Sequence, residues 1–463
     1  MTHIKNKSFG QLVSWSLAIT LLAMSSGLQA QDNNQTTMQL QIVAPATAGA
    51  LTLEQAMGMA YTHSYSRQSV EQDKLGSQAR QQQYEGGLGP KVSVEAARGW
   101  IDKNVNKLAG QNLPTGQQFP DQIESVGVVV LQPLTAFISG IDRREAERKQ
   151  EKSFDSQIIT EANTAKLRGA EAYIQALKAV RFQAINRESQ DLILKQKKDA
   201  NSLRNAGKLS ELDYSRFELA ASEASSAVIG AEAQLRVASD NLREALGIAP
   251  GQALHLAELS EIKTETSASE SRERSELTGA SHRVEVIESQ IKAQKVDYWP
   301  QVNAFLRASR DYALEDVNVA FGGLNFHLPK EDFRDQLSYG FNLQWDIWDW
   351  GTRSGRSAEL GTNLSKARLA KDDIASRLRV ETSQAEAEWD RATQTLKNAQ
   401  VADKLSANIL RSFDLRFRNG LATTTDLLSV QRDRTRAQAN LANATYDLHG
   451  ALLRKKRAEG VIL

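Results

Sequence analysis

Apolar positions along this chain change period several times, and each change marks an element. Leu53, Ala56, Met57, Ala60 and Tyr61 recur three and four apart. That spacing predicts a helix, capped by Thr52, running to about Tyr84 and stopped by Gly86-Gly87-Leu88-Gly89-Pro90. Val92, Val94 and Ala96 then alternate with Ser93, Glu95 and Ala97, which predicts a strand with one apolar face. A polar stretch with Gly110, Pro114, Gly116 and Pro120 reads as a loop, and Val126 to Leu134 as the return strand. From Ile141 to Asn205 there is no proline, and Gly169 is the single interior glycine. A helix of that length spans roughly 95 Å. Beyond a break at Gly207, Leu212 to Leu246 is helical again.

The cycle then repeats. Residues 252 to 280, rich in Ser, Glu and Thr, read as a linker between the halves. Val284, Ile287, Ile291 and Val296 predict a short helix, and Trp299-Pro300 ends it as Gly89-Pro90 ends the first. Val302, Ala304, Leu306 and Ala308 form one face of a strand, and Gly322-Gly323 and Pro329 mark a loop. Ser338 to Ile347 alternates most cleanly, with Tyr339, Phe341, Leu343, Trp345 and Ile347 on one face. Ten residues of this kind match a tilted membrane-spanning strand. The alternative is a half-buried strand of a soluble sheet, for which the chain supplies few companions. From Thr352 to Arg418 a second long helix carries a narrow seam through Leu360, Leu364, Ala367, Ile374, Leu378, Ala385 and Ala392.

The two helix breaks are copies. At a constant offset of 213, Gly207 maps onto Gly420, Ser210 onto Thr423, Asp213 onto Asp426, Leu235 onto Leu448 and Gly247 onto Gly460. A gap-free register over about forty residues is the mark of a duplicated unit. In each copy glycine ends one helix in the left-handed region, and Ser210 or Thr423 caps the next. Leu209 and Leu421 can cover the turns. The division that follows is residues 1–30, 31–50, a first repeat over 51–250, a linker over 251–280 and a second repeat over 281–463.

Residues 1–30 have the basic start, short apolar run and small-residue end (Leu28-Gln29-Ala30) of a signal peptide, and 31–50 are polar. Among 463 residues, 57 Lys and Arg balance 56 Asp and Glu, and these charges are dispersed, so nothing points to nucleic acid. Cysteine is absent, which excludes disulfides, thiolate chemistry and a lipidated N-terminal cysteine. No nucleophile elbow, phosphate loop or metal-binding histidine pair occurs, so no enzyme, cofactor or metal is expected.

Four candidate spanning strands cannot close a barrel, which takes about eight or more. Lipid tolerates no open sheet edge, so at least two copies must share one barrel. Trp299, Trp345, Trp348 and Trp350 cluster near the strand ends, where membrane-interface aromatics gather.

With its signal peptide, duplicated helix-strand-strand-long helix-helix unit and two Gly-x-x-Ser/Thr-x-x-Asp turns, the chain resembles the outer-membrane factor family, the TolC-like export channels. The resemblance covers about residues 51 to 463. It implies a membrane α/β fold: a homotrimer sharing a 12-strand outer-membrane β-barrel, continued by a 12-helix periplasmic α-barrel. It also implies the partners, a periplasmic membrane-fusion adaptor and an inner-membrane transporter of the ABC or RND type, besides outer-membrane lipid. The turns Gly207, Lys208, Leu209, Ser210 and Gly420, Leu421, Ala422, Thr423 would be the periplasmic tips that meet the adaptor. Asp213 and Asp426 would lie at the pore constriction. Two family features are missing: the basic tip residue is Ala422 here, and the second acid of the ring is Ser429. Asp426 reads equally as a first-turn acid favoured by the helix dipole. The expected function is the exit duct of a tripartite exporter, tilted to type I protein secretion by the lack of a lipidation cysteine. The alternatives are multidrug or small-molecule efflux and a soluble periplasmic coiled-coil scaffold.

Overall fold

The structure is a computed structural model, and it describes residues 50–100, 122–249, 254–259, 273–313, 317–321, 324–328 and 334–461. The signal-peptide reading, the loop through Gly110, Pro114, Gly116 and Pro120, and most of the Ser-rich linker lie outside the described residues. In chain order the elements are α1 Leu53–His63, α2 Tyr65–Leu88, β1 Lys91–Trp100, β2 Gln122–Pro133, α3 Thr135–Asn205 and α4 Glu211–Leu246. Then come α5 Ser275–Lys295, β3 Gln301–Ala313, β4 Val317–Phe321, β5 Leu324–Leu328, β6 Arg334–Gln344, α6 Thr352–Arg418 and α7 Thr424–Ala458. Both halves run helix, strand, strand, long helix, helix. The long helices α3 and α6 hold 71 and 67 residues.

Small residues let these helices pack closely. Gly169 of α3 leaves room for α1: a Cβ there would come within 2.4 Å of the Ala60 Cβ. Around that approach Ala56, Ala60, Tyr173, Ala176, Leu177, Leu242 and Leu246 form the largest buried cluster. Tyr173 is fully buried, and its hydroxyl shares its one proton between the Leu51 and Ala257 carbonyls, at 2.7 and 2.5 Å. It thereby pins two extended segments against α3, where Leu51 and Leu256 form a parallel bridge.

The structure corrects several sequence expectations. The first helix breaks at Ser64, whose extended backbone lets its hydroxyl accept the Arg67 N–H at 3.3 Å and start α2. Helix α2 then runs through Gly86 and Gly87 to Leu88. Pro90 is what ends it, by disfavouring helical geometry in the preceding residue. Helix α3 begins at Thr135, before Gly140. That glycine serves packing, since a Cβ there would meet Leu88 Cδ2 at 2.4 Å. The supposed linker ends early, because α5 starts at Ser275. Arg274 anchors that start, donating to Glu276 at 2.7 Å and to Glu381 of α6 at 2.8 Å. Burial alone would raise the Glu276 carboxyl pKa, but the Arg274 hydrogen bond and charge outweigh it and hold it below the ordinary range. Between β3 and β6 the chain forms the β4–β5 hairpin rather than a plain loop.

Candidate functional site

Two regions of the fold bear on function: the sheet at one end of the long helices and the two turns at the other. The sheet has the order β1-β2-β3-β6, antiparallel throughout, so β2 and β3 pair with each other across the halves. Registers Val92↔Val130, Val130↔Leu306 and Leu306↔Tyr339 carry one apolar row across all four strands. That face is bare. Tyr339 is 78% and Phe341 75% exposed, and Val94, Leu337 and Leu343 stand open beside them. The opposite face carries Ser93, Glu95, Arg307, Ser338 and Asn342, with Arg307 donating to Glu95 at 2.8 Å. Apolar and polar positions alternate along β1 and β6, as in a sheet with lipid on one side and water on the other, while β2 and β3 also place Val129, Leu131 and Phe305 on the second face. At the far end, ion pairs Arg98–Glu124 and Arg310–Asp335, at 2.8 and 2.6 Å, close off the apolar band. At the near end stand the tryptophans. From Trp299 to Ala308 the chain rises about 30 Å, or about 23 Å along a barrel axis after a tilt near 40°. Strands β1 and β6 have no partner on their outer edges among the described residues.

Strand β6 ends at Gln344, so Trp345 and Ile347 lie beyond it, not on it as the alternation suggested. The reason is a knot of hydrogen bonds around Arg353. Its guanidinium meets the Asp349 carboxylate at 2.7 Å, the Asp297 carbonyl at 3.3 Å and the Asp346 carbonyl. Trp345 Nε1 donates to the Tyr298 carbonyl at 3.2 Å. Trp350 sits at φ 56°, a left-handed backbone rare for a bulky residue, with its side chain 89% exposed. Its ring meets Trp348 edge-on at 5.8 Å between centroids, and Trp299 is exposed as well.

At the opposite end the two turns share one backbone. Gly207 and Gly420 have φ 69° and 73°. Lys208 N–H returns to the Leu203 carbonyl and Leu421 N–H to the Arg416 carbonyl, at 2.9 and 2.8 Å. That is the Schellman closure, which satisfies the last free carbonyls of the preceding helix. Ser210 and Thr423 then accept the N–H of Asp213 and Asp426 at 3.1 and 3.2 Å. The Thr423 hydroxyl and N–H both donate to Asp426 Oδ2, at 2.7 and 3.1 Å, and hold its carboxyl below the ordinary aspartate range. Leu209 packs into a buried cluster, whereas Leu421 is 76% exposed and covers nothing.

The fold brings both turns together. Phe217, Leu427, Leu428 and Ala200 are buried in one cluster beside Phe413 and Phe417, and Phe217 meets Phe417 at 5.9 Å. Arg216 donates to Asp213 Oδ1 at 3.2 Å and, across to the other half, to Thr425 Oγ1 at 2.7 Å. Neither Arg216, Phe217 nor Thr425 was marked by the sequence reading. Arg216 stands three residues after Asp213, a helical spacing that points to the local pair, but its partner in the second half shows only in three dimensions.

No helix of the described residues is long and apolar enough to cross a membrane. Residues 269–459 match the outer membrane efflux protein family. No curated protein matches the sequence. The CmeC outer membrane channel of Campylobacter jejuni is similar in structure, with a TM-score of 0.75 at 13% identity over 88% of this chain and 85% of that one. A membrane protein of Pseudomonas aeruginosa gives 0.72 at 17% identity over 88% and 93%. The outer membrane protein VceC of Vibrio cholerae gives 0.71 at 13% identity over 88% and 96%. Residues 269–459 are thus similar to the outer membrane efflux protein family, and the chain as a whole has the fold of these outer membrane channels.

Proposed function

We propose that three copies of this chain form one channel in the outer membrane, the exit duct of a tripartite export system. The observation that carries this reading is the open-edged sheet with its bare apolar face. Unpaired backbone groups on β1 and β6 would cost several kcal/mol each in lipid. Pairing β6 of one copy with β1 of the next removes both edges, and three copies give a closed barrel of twelve strands. The long helices then extend the conduit into the periplasm. Trp299, Trp345, Trp348 and Trp350 take the periplasmic-side lipid interface. Gly207, Lys208, Leu209, Ser210 and Gly420, Leu421, Ala422, Thr423 meet the adaptor, for which exposed Leu421 is a ready contact. Asp213 and Asp426 line the mouth.

For cargo, we keep type I protein secretion, with an ABC transporter behind the adaptor, on the absence of a lipidation cysteine. A second reading, efflux of small toxic compounds, is favoured by the family that residues 269–459 match.

Detergent extraction of the outer-membrane fraction followed by mass determination tests the assembly. A three-chain particle that dissociates on heating and conducts ions in planar bilayers is expected. A single-chain, water-soluble species would overturn it. Deletion of the protein separates the cargos: loss of a polypeptide from the medium supports secretion, and hypersensitivity to small compounds supports efflux.

A further inference from the structure

Between α3, α4 and α7 lies a cavity of about 540 Å³, within the range of small-molecule sites. Its floor is apolar and buried: Ile193, Ala224 and Leu428. Its rim is cationic. Arg216, Arg432 and Arg436 line it against one carboxylate, Glu223. Arg432 and Arg436 stand one turn apart on α7, exposed, with no hydrogen bond or ion pair among the described residues. By contrast Arg434, between them in sequence, is paired with Asp403 at 2.6 Å. Gln431 also lines the cavity. It is 2% exposed, and its Oε1 has no hydrogen-bond partner among the described residues. A buried acceptor left unpaired is unfavourable, so the cavity has unfilled needs of two kinds: an anion at the rim and a donor at the floor.

We propose that this cavity binds small organic anions that combine an apolar body, a terminal carboxylate or sulfonate and an O–H or N–H donor. The anionic group lies between the Arg432 and Arg436 guanidiniums in charge-assisted hydrogen bonds. The apolar body covers Ile193 and Leu428, and the donor reaches Gln431 Oε1. The site is separate from the adaptor and lipid contacts and does not depend on which cargo the channel carries.

Calorimetric titration of the full-length oligomer in lipid nanodiscs with 6-hydroxynaphthalene-2-sulfonate tests this. Saturable binding is expected. Naphthalene-2-sulfonate, which lacks the donor, binds about fivefold more weakly. Arg432→Gln with Arg436→Gln weakens binding at least about tenfold. Ala227→Trp, at an exposed lining position, fills the space and abolishes it. The glutamine pair replaces exposed side chains, so its oligomer and conductance stay normal. Three results would each overturn the proposal: no saturable heat, as when a neighbouring copy already covers the groove; equal affinity in the glutamine pair; or equal affinity for 2-naphthyltrimethylammonium, the cation of similar shape.

Discussion

The two tip turns are the same backbone put to different uses. Each is closed by a left-handed glycine and capped by a hydroxyl that accepts the aspartate N–H. Beyond that they part. In the first turn Arg204 of α3 reaches across to Glu211 of α4 at 3.2 Å and lies 4.0 Å over the Tyr214 ring. Asp213 accepts the Ser210 hydroxyl at 2.7 Å, as Asp426 accepts that of Thr423, but it also bonds Arg216, which goes on to Thr425. In the second turn Arg418 pairs back onto Asp414 of its own helix at 3.1 Å, and Asp426 serves its own cap alone. The first turn is braced across its two helices and coupled outward, while the second is held by its cap and by the hydrophobic cluster. Duplication therefore preserved what makes the turn and released what connects it. At the offset of 213, Arg216 becomes Ser429, Phe217 becomes Val430 and Arg204 becomes Phe417.

The largest effect should come from that asymmetry. Phe217 is fully buried between the tips, so Phe217→Ala is expected to destabilise the tip region by about 3–5 kcal/mol. Val430→Ala, at the matching but half-buried position, should lose only about 1 kcal/mol. Thermal or denaturant unfolding of the purified oligomer measures both, and equal losses would break the comparison. Gly207→Ala and Gly420→Ala come next. A side chain in the left-handed region is disfavoured by about 1–2 kcal/mol, and because the backbone is shared, the two losses should be alike. Arg216→Ala should shift overall stability by less than about 1 kcal/mol, since its pairs are exposed. It should nevertheless raise hydrogen exchange in both turns, whereas Arg204→Ala raises it in the first alone.

Much of this was legible before any coordinates. Glycine followed at three residues by Ser or Thr names a turn whichever half it sits in, and the alternation at Tyr339, Phe341 and Leu343 names a strand with a bare face. The misreadings share a cause, which is that each residue type has more than one use. Ser64 is tolerated inside a helix, so its role as a cap was hidden, and Gly86, Gly87 and Gly140 looked like helix breakers although they sit inside α2 and α3. Pro90 follows the end of α2, and Gly140 is used for the close approach of Leu88, a tertiary contact. The pairing of Arg216 with Thr425 spans 209 residues, and no local pattern encodes it.

The smallest expected effect concerns Asp426. Its carboxyl is held below the ordinary value of 3.8 because the Thr423 hydroxyl and N–H both favour the charged form. A depressed carboxylate stabilises the fold above its unfolded pKa, and that contribution fades as pH falls through the folded value. Protection against hydrogen exchange at residues 423–426, taken relative to the intrinsic rate at each pH, should therefore be level above about pH 4 and fall below it. Asp426→Asn removes the ionising group, so the acid-dependent loss of protection should vanish while the first turn, capped by Ser210, is untouched. The same variant tests the mouth. If three Asp426 carboxylates ring the pore, neutralising them lowers cation selectivity in planar bilayers, because a ring of like charge concentrates counter-ions. Unchanged selectivity alongside a lost acid response would assign Asp426 to its cap alone, making the two turns alike in having an aspartate that serves structure and not passage.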